Sequence, residues 1–125
     1  MDSLTSVPPI ARPLALTIDC LDPRPLVSFW QQLVGGDLVV DSADDYLLLE
    51  NVPAIGTMGF QQVPEAKLVK NRVHLDLEVP DIDAAIASST RIGATRHGTV
   101  HEEPSNFFQV MCDPEGNEFC FILLK

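Results

Sequence analysis

The residues best suited to moving a proton sit together in one short run, Arg72-Val73-His74-Leu75-Asp76-Leu77-Glu78-Val79. The run alternates polar and apolar, the period of a half-buried strand. Successive side chains of a strand point to opposite faces. Arg72, His74, Asp76 and Glu78 therefore share one face. Val73, Leu75, Leu77 and Val79 share the other, toward a helix layer. His74 and Asp76, two residues apart on one face, have Cβ atoms about 6–7 Å apart. An imidazole titrates near neutral pH, so this pair can supply a general acid or base to a bound ligand. The same groups can equally form a satisfied polar network that fixes a cavity wall. In either case, four polar residues on one face must meet water, a ligand or each other.

Three other strand-like runs carry candidate ligand contacts. Leu14–Cys20 places Ala15, Thr17 and Asp19 on one face, and Thr57–Val63 carries Gln61. Glu118–Leu124 places Glu118, Cys120 and Ile122 together. Thr17, Asp19, Gln61, Arg72, Glu78 and Cys120 are the expected ligand-binding set, beside His74 and Asp76 as acid and base. Cys120 could act as a nucleophile only with a cation beside it; between Phe119 and Phe121 it reads as packing. Gln109 reads as solvating a half-exposed sheet. His97 and His101, with Glu102 and Glu103, read as a solvated strand edge. GxGxxG, P-loop, GxSxG and HExxH patterns are absent from the sequence.

The elements that must position these residues repeat in order. Leu14–Cys20 is a strand. Asp22 and Pro23 open a helix as N-cap and first-turn residue. Its apolar residues Leu26, Val27, Phe29, Trp30, Leu33 and Val34 follow helical spacing, and Gly35-Gly36 ends it. Strands follow at residues 37–41, 46–50 and 57–63. Pro64–Asn71 is a polar connector. Then Arg72–Val79 begins the order again. Asp81 caps a helix carrying Ile82, Ala85, Ile86 and Ile92, and Gly93 ends it. Strands follow at 95–100, 107–112 and 118–124, the last after an Asp-Pro-Glu-Gly-Asn turn. Aligning the caps Asp22 and Asp81 sets Ala15 opposite His74, Thr17 opposite Asp76 and Asp19 opposite Glu78.

The chain has 125 residues, with 8 Lys and Arg against 18 Asp and Glu, a net charge of −10. Such a chain lacks the basic face that nucleic acid requires, and anionic membrane surfaces repel it. No apolar run approaches the roughly 20 residues that span a bilayer. An acidic protein instead steers cationic ligands. Cys20, Cys112 and Cys120 are an odd, widely spaced set, which points to free thiols in a reducing cytoplasm. Residues 1–12, with Pro8 and Pro9, read as a flexible arm. Residues 13–124 read as one domain, with module one at 13–63, a linker at 64–71 and module two at 72–124.

The doubled β-α-β-β-β order, the Asp22-Pro23…Phe29-Trp30 helix start, the Asn71-Arg72-Val73-His74-Leu75-Asp76-Leu77 strand and the closing DPEGNEFC (113–120) resemble the glyoxalase/bleomycin-resistance/dioxygenase, or vicinal-oxygen-chelate, superfamily. Among its members they look most like glyoxalase-like domain proteins. The resemblance implies an α+β fold of two βαβββ modules, whose curved mixed sheets enclose a cavity. It implies a small-molecule ligand and a homodimer. Many members hold a divalent metal with ligands on the first and last strand of each module. Carried over, those positions fall on Ala15, near Gln61, on His74 and on Cys120. Ala15 cannot ligate, so no cofactor is expected; a divalent metal, if held, would sit on His74 with Gln61 and Cys120. The ranking that follows puts a small-molecule binder first, a metal-independent enzyme using His74 and Asp76 second, and a metal-dependent lyase, isomerase or dioxygenase third.

Overall fold

A computed structural model describes residues 4–40 and 43–125. The elements are β1 (Leu16–Cys20), α1 (Pro23–Val34), β2 (Asp37–Leu38), β3 (Tyr46–Val52), β4 (Gly56–Gln62), β5 (Asp76–Glu78), α2 (Ile82–Arg91), β6 (Thr95–Glu102), β7 (Asn106–Cys112) and β8 (Glu118–Leu124). They build two mixed four-stranded sheets, ordered β1-β4-β3-β2 and β5-β8-β7-β6. In each, the first strand pairs parallel with the fourth and the remaining pairs are antiparallel. The expected α+β fold of two βαβββ modules is therefore present, and neither sheet closes on itself. Residues 4–12 have no regular structure and are exposed, while the remainder of the arm, residues 1–3, lies outside the described residues.

The two helix starts differ from one another in chemistry. Asp81 caps α2 as expected, its Oδ1 accepting the Ala84 backbone N–H at 3.0 Å. Arg91 in the last turn of α2 complements its dipole. Asp22 occupies the N-cap of α1 in extended conformation, but its side chain makes no cap bond. The backbone N–H groups of Leu21 and Asp22 instead donate to the Glu115 carboxylate, at 2.7 and 2.9 Å. A side chain from the turn between β7 and β8 thus takes over part of the cap, and module two braces the helix of module one. Gly35 caps the end of α1 at φ +82, and Gly36 follows at φ +97, where an added Cβ would lie 2.8 Å from the Val52 side chain.

The core forms where α1 meets β8. Trp30 packs edge-on against Phe119 at 5.4 Å, Phe29 lies 6.2 Å from Phe119, and Phe119 meets Phe121 at 5.5 Å. All four rings are buried. Truncating one of these rings to Ala would remove roughly 3–5 kcal/mol. The two modules therefore share one apolar interior. The indole N–H of Trp30 is satisfied inside it, donating to Asp113 Oδ2 at 3.0 Å. Asp113 Oδ1 accepts the backbone N–H groups of Glu115 and Asn117, at 2.8 and 3.0 Å. Asp113 is 2% exposed, and both its oxygens are committed.

Three strand expectations need correction. The run 37–41 is strand only at Asp37–Leu38, with Asp41 outside the described residues. The fifth strand is Asp76–Glu78 rather than 72–79. Ahead of it, the Asn71 backbone N–H donates to Glu118 Oε2 at 2.9 Å and its side-chain amide to the Glu118 carbonyl at 3.2 Å. These side-chain ties replace the ladder, and the chain leaves the sheet. Val73 accordingly does not face a helix: it is 73% exposed. Gln109 is also misplaced by simple alternation, being fully buried. The β6–β7 register shifts between His97 and His101, which leaves carbonyls unpaired. The Gln109 amide donates to the carbonyls of His97 and Gly98, and its oxygen accepts from Arg96.

Asp113→Ala strands the buried Trp30 N–H and two turn N–H groups, so it is expected to destabilise the fold by about 3 kcal/mol, with the usual spread for such groups. Guanidinium unfolding of both proteins measures this; a loss below about 1 kcal/mol would show that the turn and the indole do not depend on the carboxylate.

Candidate functional site

A cleft of about 320 Å³ opens between β1 and the segment that leads into β5. Leu16, Thr17, Ile18 and Asp19 of β1 form one wall. Linker residues 65–67, Asn71 and Val73–Leu75 line much of the remainder, together with Val63, Trp30, Asn117 and Glu118. The volume lies at the lower end of the roughly 300–1,000 Å³ usual for small-molecule sites. Val73 lines it, which explains the apolar side chain left exposed where a strand was expected.

Of the residues singled out from sequence, His74, Thr17 and Asp19 line this cleft. Gln61, Arg72, Asp76, Glu78 and Cys120 do not. Arg72, Asp76 and Glu78 are exposed beyond its walls, and Gln61 is exposed on β4 opposite Asp19. His74 Nε2 stands 3.2 Å from Asp76 Oδ1, with both side chains partly exposed. Cys120 pairs with Asp76 across the β5–β8 ladder, and the ligand atoms of His74, Asp76 and Cys120 lie within 4.8 Å of one another. Burial, helped by the Asp76 charge, raises the Cys120 thiol above its ordinary range. Burial likewise pushes Cys20 up to about 12, with the charge of Glu115 adding to it. Thiols held protonated in this way are poor nucleophiles.

The cleft also holds an ion pair that strand alternation did not reveal. Lys67 Nζ donates to Glu118 Oε1 at 2.8 Å while Glu118 Oε2 accepts from Asn71. Both charged side chains are mostly buried. Burial acts to raise the Glu118 carboxyl, but the Lys67 ammonium and the Asn71 amide outweigh it, so the group titrates below its ordinary 4.5. The signal in the sequence was the lysine pair of the linker, Lys67 and Lys70, set in an acidic chain. A connector assigned only as polar hid one cleft wall.

A sequence profile of the glyoxalase-like domain matches residues 15–122, nearly the whole chain. The chain belongs to the glyoxalase-like domain family. Solved structures agree on the fold. A glyoxalase/bleomycin resistance protein/dioxygenase family enzyme from Burkholderia phytofirmans PsJN superposes with a TM-score of 0.73 at 19% identity, covering 89% of this chain and 97% of that one. A glyoxalase/bleomycin resistance protein/dioxygenase from Nocardioides gives 0.70 at 15% identity, over 93% and 86% of the two chains. A glyoxalase-related enzyme from Fulvimarina pelagi gives 0.67 at 12%, over 91% and 88%. No curated protein sequence matches the chain.

The donors of this glyoxalase-like chain can be tested against the metal that many members hold. Thr17 pairs with Gly59 in the β1–β4 ladder, as Asp76 pairs with Cys120 in the β5–β8 ladder. Gly59, two residues from Gln61, is therefore the counterpart of Cys120. Sheet one offers a methyl group at Ala15 and only hydrogen at Gly59, so the four-ligand set does not fit. A Cβ at Gly59 would lie 2.7 Å from the Tyr46 hydroxyl and 2.8 Å from the Thr17 hydroxyl. Those hydroxyls, 3.3 Å apart, crowd the space beside Gly59. His74, Asp76 and Cys120 remain as the only module-two residues able to share an ion among those described, and the raised thiol works against its doing so.

The lowered Glu118 carboxyl sets a pH dependence. A group whose folded value is depressed adds stability at pH above its ordinary value, and that increment is lost as pH falls through 4.5 and on through the folded value. Urea midpoints measured downward from pH 6 are expected to fall more steeply for the natural chain than for Glu118→Gln. Parallel profiles would show that the Lys67–Glu118–Asn71 tie contributes no net proton linkage.

Proposed function

We propose that this glyoxalase-like protein binds a small molecule with an apolar body in the cleft, without a resident metal or other cofactor. The observation that carries this reading is the cleft itself: an open space of about 320 Å³ whose walls mix Leu16, Ile18, Val63 and Val73 with a few polar groups. Apolar walls supply affinity, and scattered polar groups orient the ligand. Ala15 and Gly59 support the metal-free part of the reading, since they remove sheet one's donors.

A second reading, a metal-independent enzyme, draws on the His74–Asp76 pair. His74 lines the cleft, and Asp76 stands behind it at 3.2 Å. A carboxylate so placed orients an imidazole, which can then take a proton from a ligand. The solved relatives called enzymes share less than 20% identity with this chain, so they lend the fold and not the reaction.

Trp30 is the single tryptophan and lies on the cleft lining, so its emission reports occupancy. Neutral aromatic fragments screened by melting temperature are expected to yield hits that also change Trp30 emission. A hit at ten times its Kd adds about 1.4 kcal/mol to stability. Val73→Arg, which fills the cleft, is expected to abolish both signals, and His74→Ala to retain binding. If hits bind Val73→Arg unchanged, the cleft is not the site. Turnover of a hit that His74→Ala abolishes would replace the binder reading with the enzymatic one.

We further propose a homodimer in the reducing cytoplasm. Free Cys20, Cys112 and Cys120 support the compartment. The exposed apolar side chains of Leu4, Val7, Ile10 and Leu14 on the arm and Leu68 and Val69 on the linker support the pairing. Light scattering of the full chain is expected to give the dimer mass, with dissociation favoured once residues 1–13 are removed. A monomer mass for the full chain at micromolar concentration would end the proposal.

A further inference from the structure

The charges of the cleft divide into those already committed and those left free. Lys67 is committed to Glu118 at 2.8 Å, and that carboxylate is committed in turn to Asn71. Asn117 is committed to Asp113. His74 leans on Asp76. Thr17 shares its hydroxyl with Tyr46. Two lining residues remain, Asp19 on β1 and Glu65 on the linker. Both are exposed, and neither makes a hydrogen bond or ion pair among the described residues. Asp19 and Glu65 both line the cleft, and the Val63 backbone N–H, two residues before Glu65, donates to the carbonyl of Cys20 next to Asp19, so both carboxylates serve one opening. Arg72 and Lys70, which flank Asn71, are exposed and do not line the cleft.

Resting on the reading that the cleft is a ligand site, we propose that its ligand is an organic cation, an amine or guanidinium carried on a flat or branched apolar body. The free groups are acceptors only. A ligand anion would find the one lining ammonium already neutralised and would meet two carboxylates. Displacing Glu118 from Lys67 would leave a mostly buried carboxylate without its cation, a strongly unfavourable exchange. A ligand cation meets the reverse situation: two solvated carboxylates at the mouth, apolar walls beneath, and a chain of net charge −10 that draws cations inward. The two carboxylates set the sign of the charge, and Leu16, Ile18, Val63 and Val73 set the apolar character of the remainder.

Three probes with one apolar body separate charge from shape: 2-naphthylmethylamine, 2-naphthalenemethanol and 2-naphthoate. Calorimetry at pH 7 with the full chain is expected to show the amine binding at least tenfold more tightly than the alcohol, with the carboxylate weakest. The double variant Asp19→Asn/Glu65→Gln is expected to bring the amine down to the affinity of the alcohol and to leave the alcohol unchanged. Raising salt is expected to weaken the amine alone, because exposed charges are screened. If amine and alcohol bind equally and the double variant changes neither, the cation proposal falls while the cleft stands as a site. If the carboxylate binds most tightly, the sign of the selection is reversed and the proposal falls. If none of the three binds and Trp30 emission stays constant, the ligand-site reading fails, and the cation proposal with it.

Discussion

The buried carboxylate of Asp113 is the constraint on which most of the molecule depends. It is a charge-bearing group placed where only full hydrogen bonding makes it tolerable. One oxygen holds the Trp30 indole; the other gathers the turn that sends the chain into β8. Neither arrangement stands alone. Without the turn, the carboxylate loses its backbone donors. Without the indole, the aromatic cluster of Phe29, Trp30 and Phe119 has no fixed depth. Glu115 of the same turn then reaches the start of α1. Two residues of module two, Asp113 and Glu115, therefore set where the helix of module one begins and how deep its tryptophan, part of the cleft lining, sits.

Much of this was legible in the sequence because it is local. Pro23 after Asp22, paired glycines after Val34 and the Asp113–Asn117 turn mark element ends by chain geometry alone. The doubled order of elements, and with it the fold family, follows from those marks. What was not legible depends on partners distant in sequence. Nothing near Asp22 reveals that Glu115, more than 90 residues away, takes the cap donors. Nothing in the alternation of residues 72–79 reveals that Glu118 captures Asn71 and that residues 72–74 run clear of the ladder. Gln109 shows the same limit: its amide is drawn inside by carbonyls that a bulge on the neighbouring strand leaves open.

The candidate site was half legible for the same reason. Thr17, Asp19 and His74 could be assigned to a concave face from strand period alone, and they do line the cleft. Lys67 and Glu65 could not, since a connector has no period. Asp76, Glu78 and Arg72 share the predicted face, yet they stand outside the walls: the cleft is lined from the segment ahead of β5, and β5 itself contributes none of its three residues. A site built partly from a linker is visible only once the linker has been placed. The two modules are also unequal. Module two holds imidazole, carboxylate and thiol close together, while sheet one carries a glycine and two hydroxyls at the matching place.

The crowding at that glycine limits what a single substitution in sheet one can do. Gly59 is roofed by the hydroxyls of Tyr46 and Thr17, at 2.7 and 2.8 Å from where a Cβ would lie. A larger residue at 59 would first have to push those two hydroxyl ends aside. A new contact from this stretch of sheet one is therefore built more simply on the hydroxyls already present than on a side chain added between them.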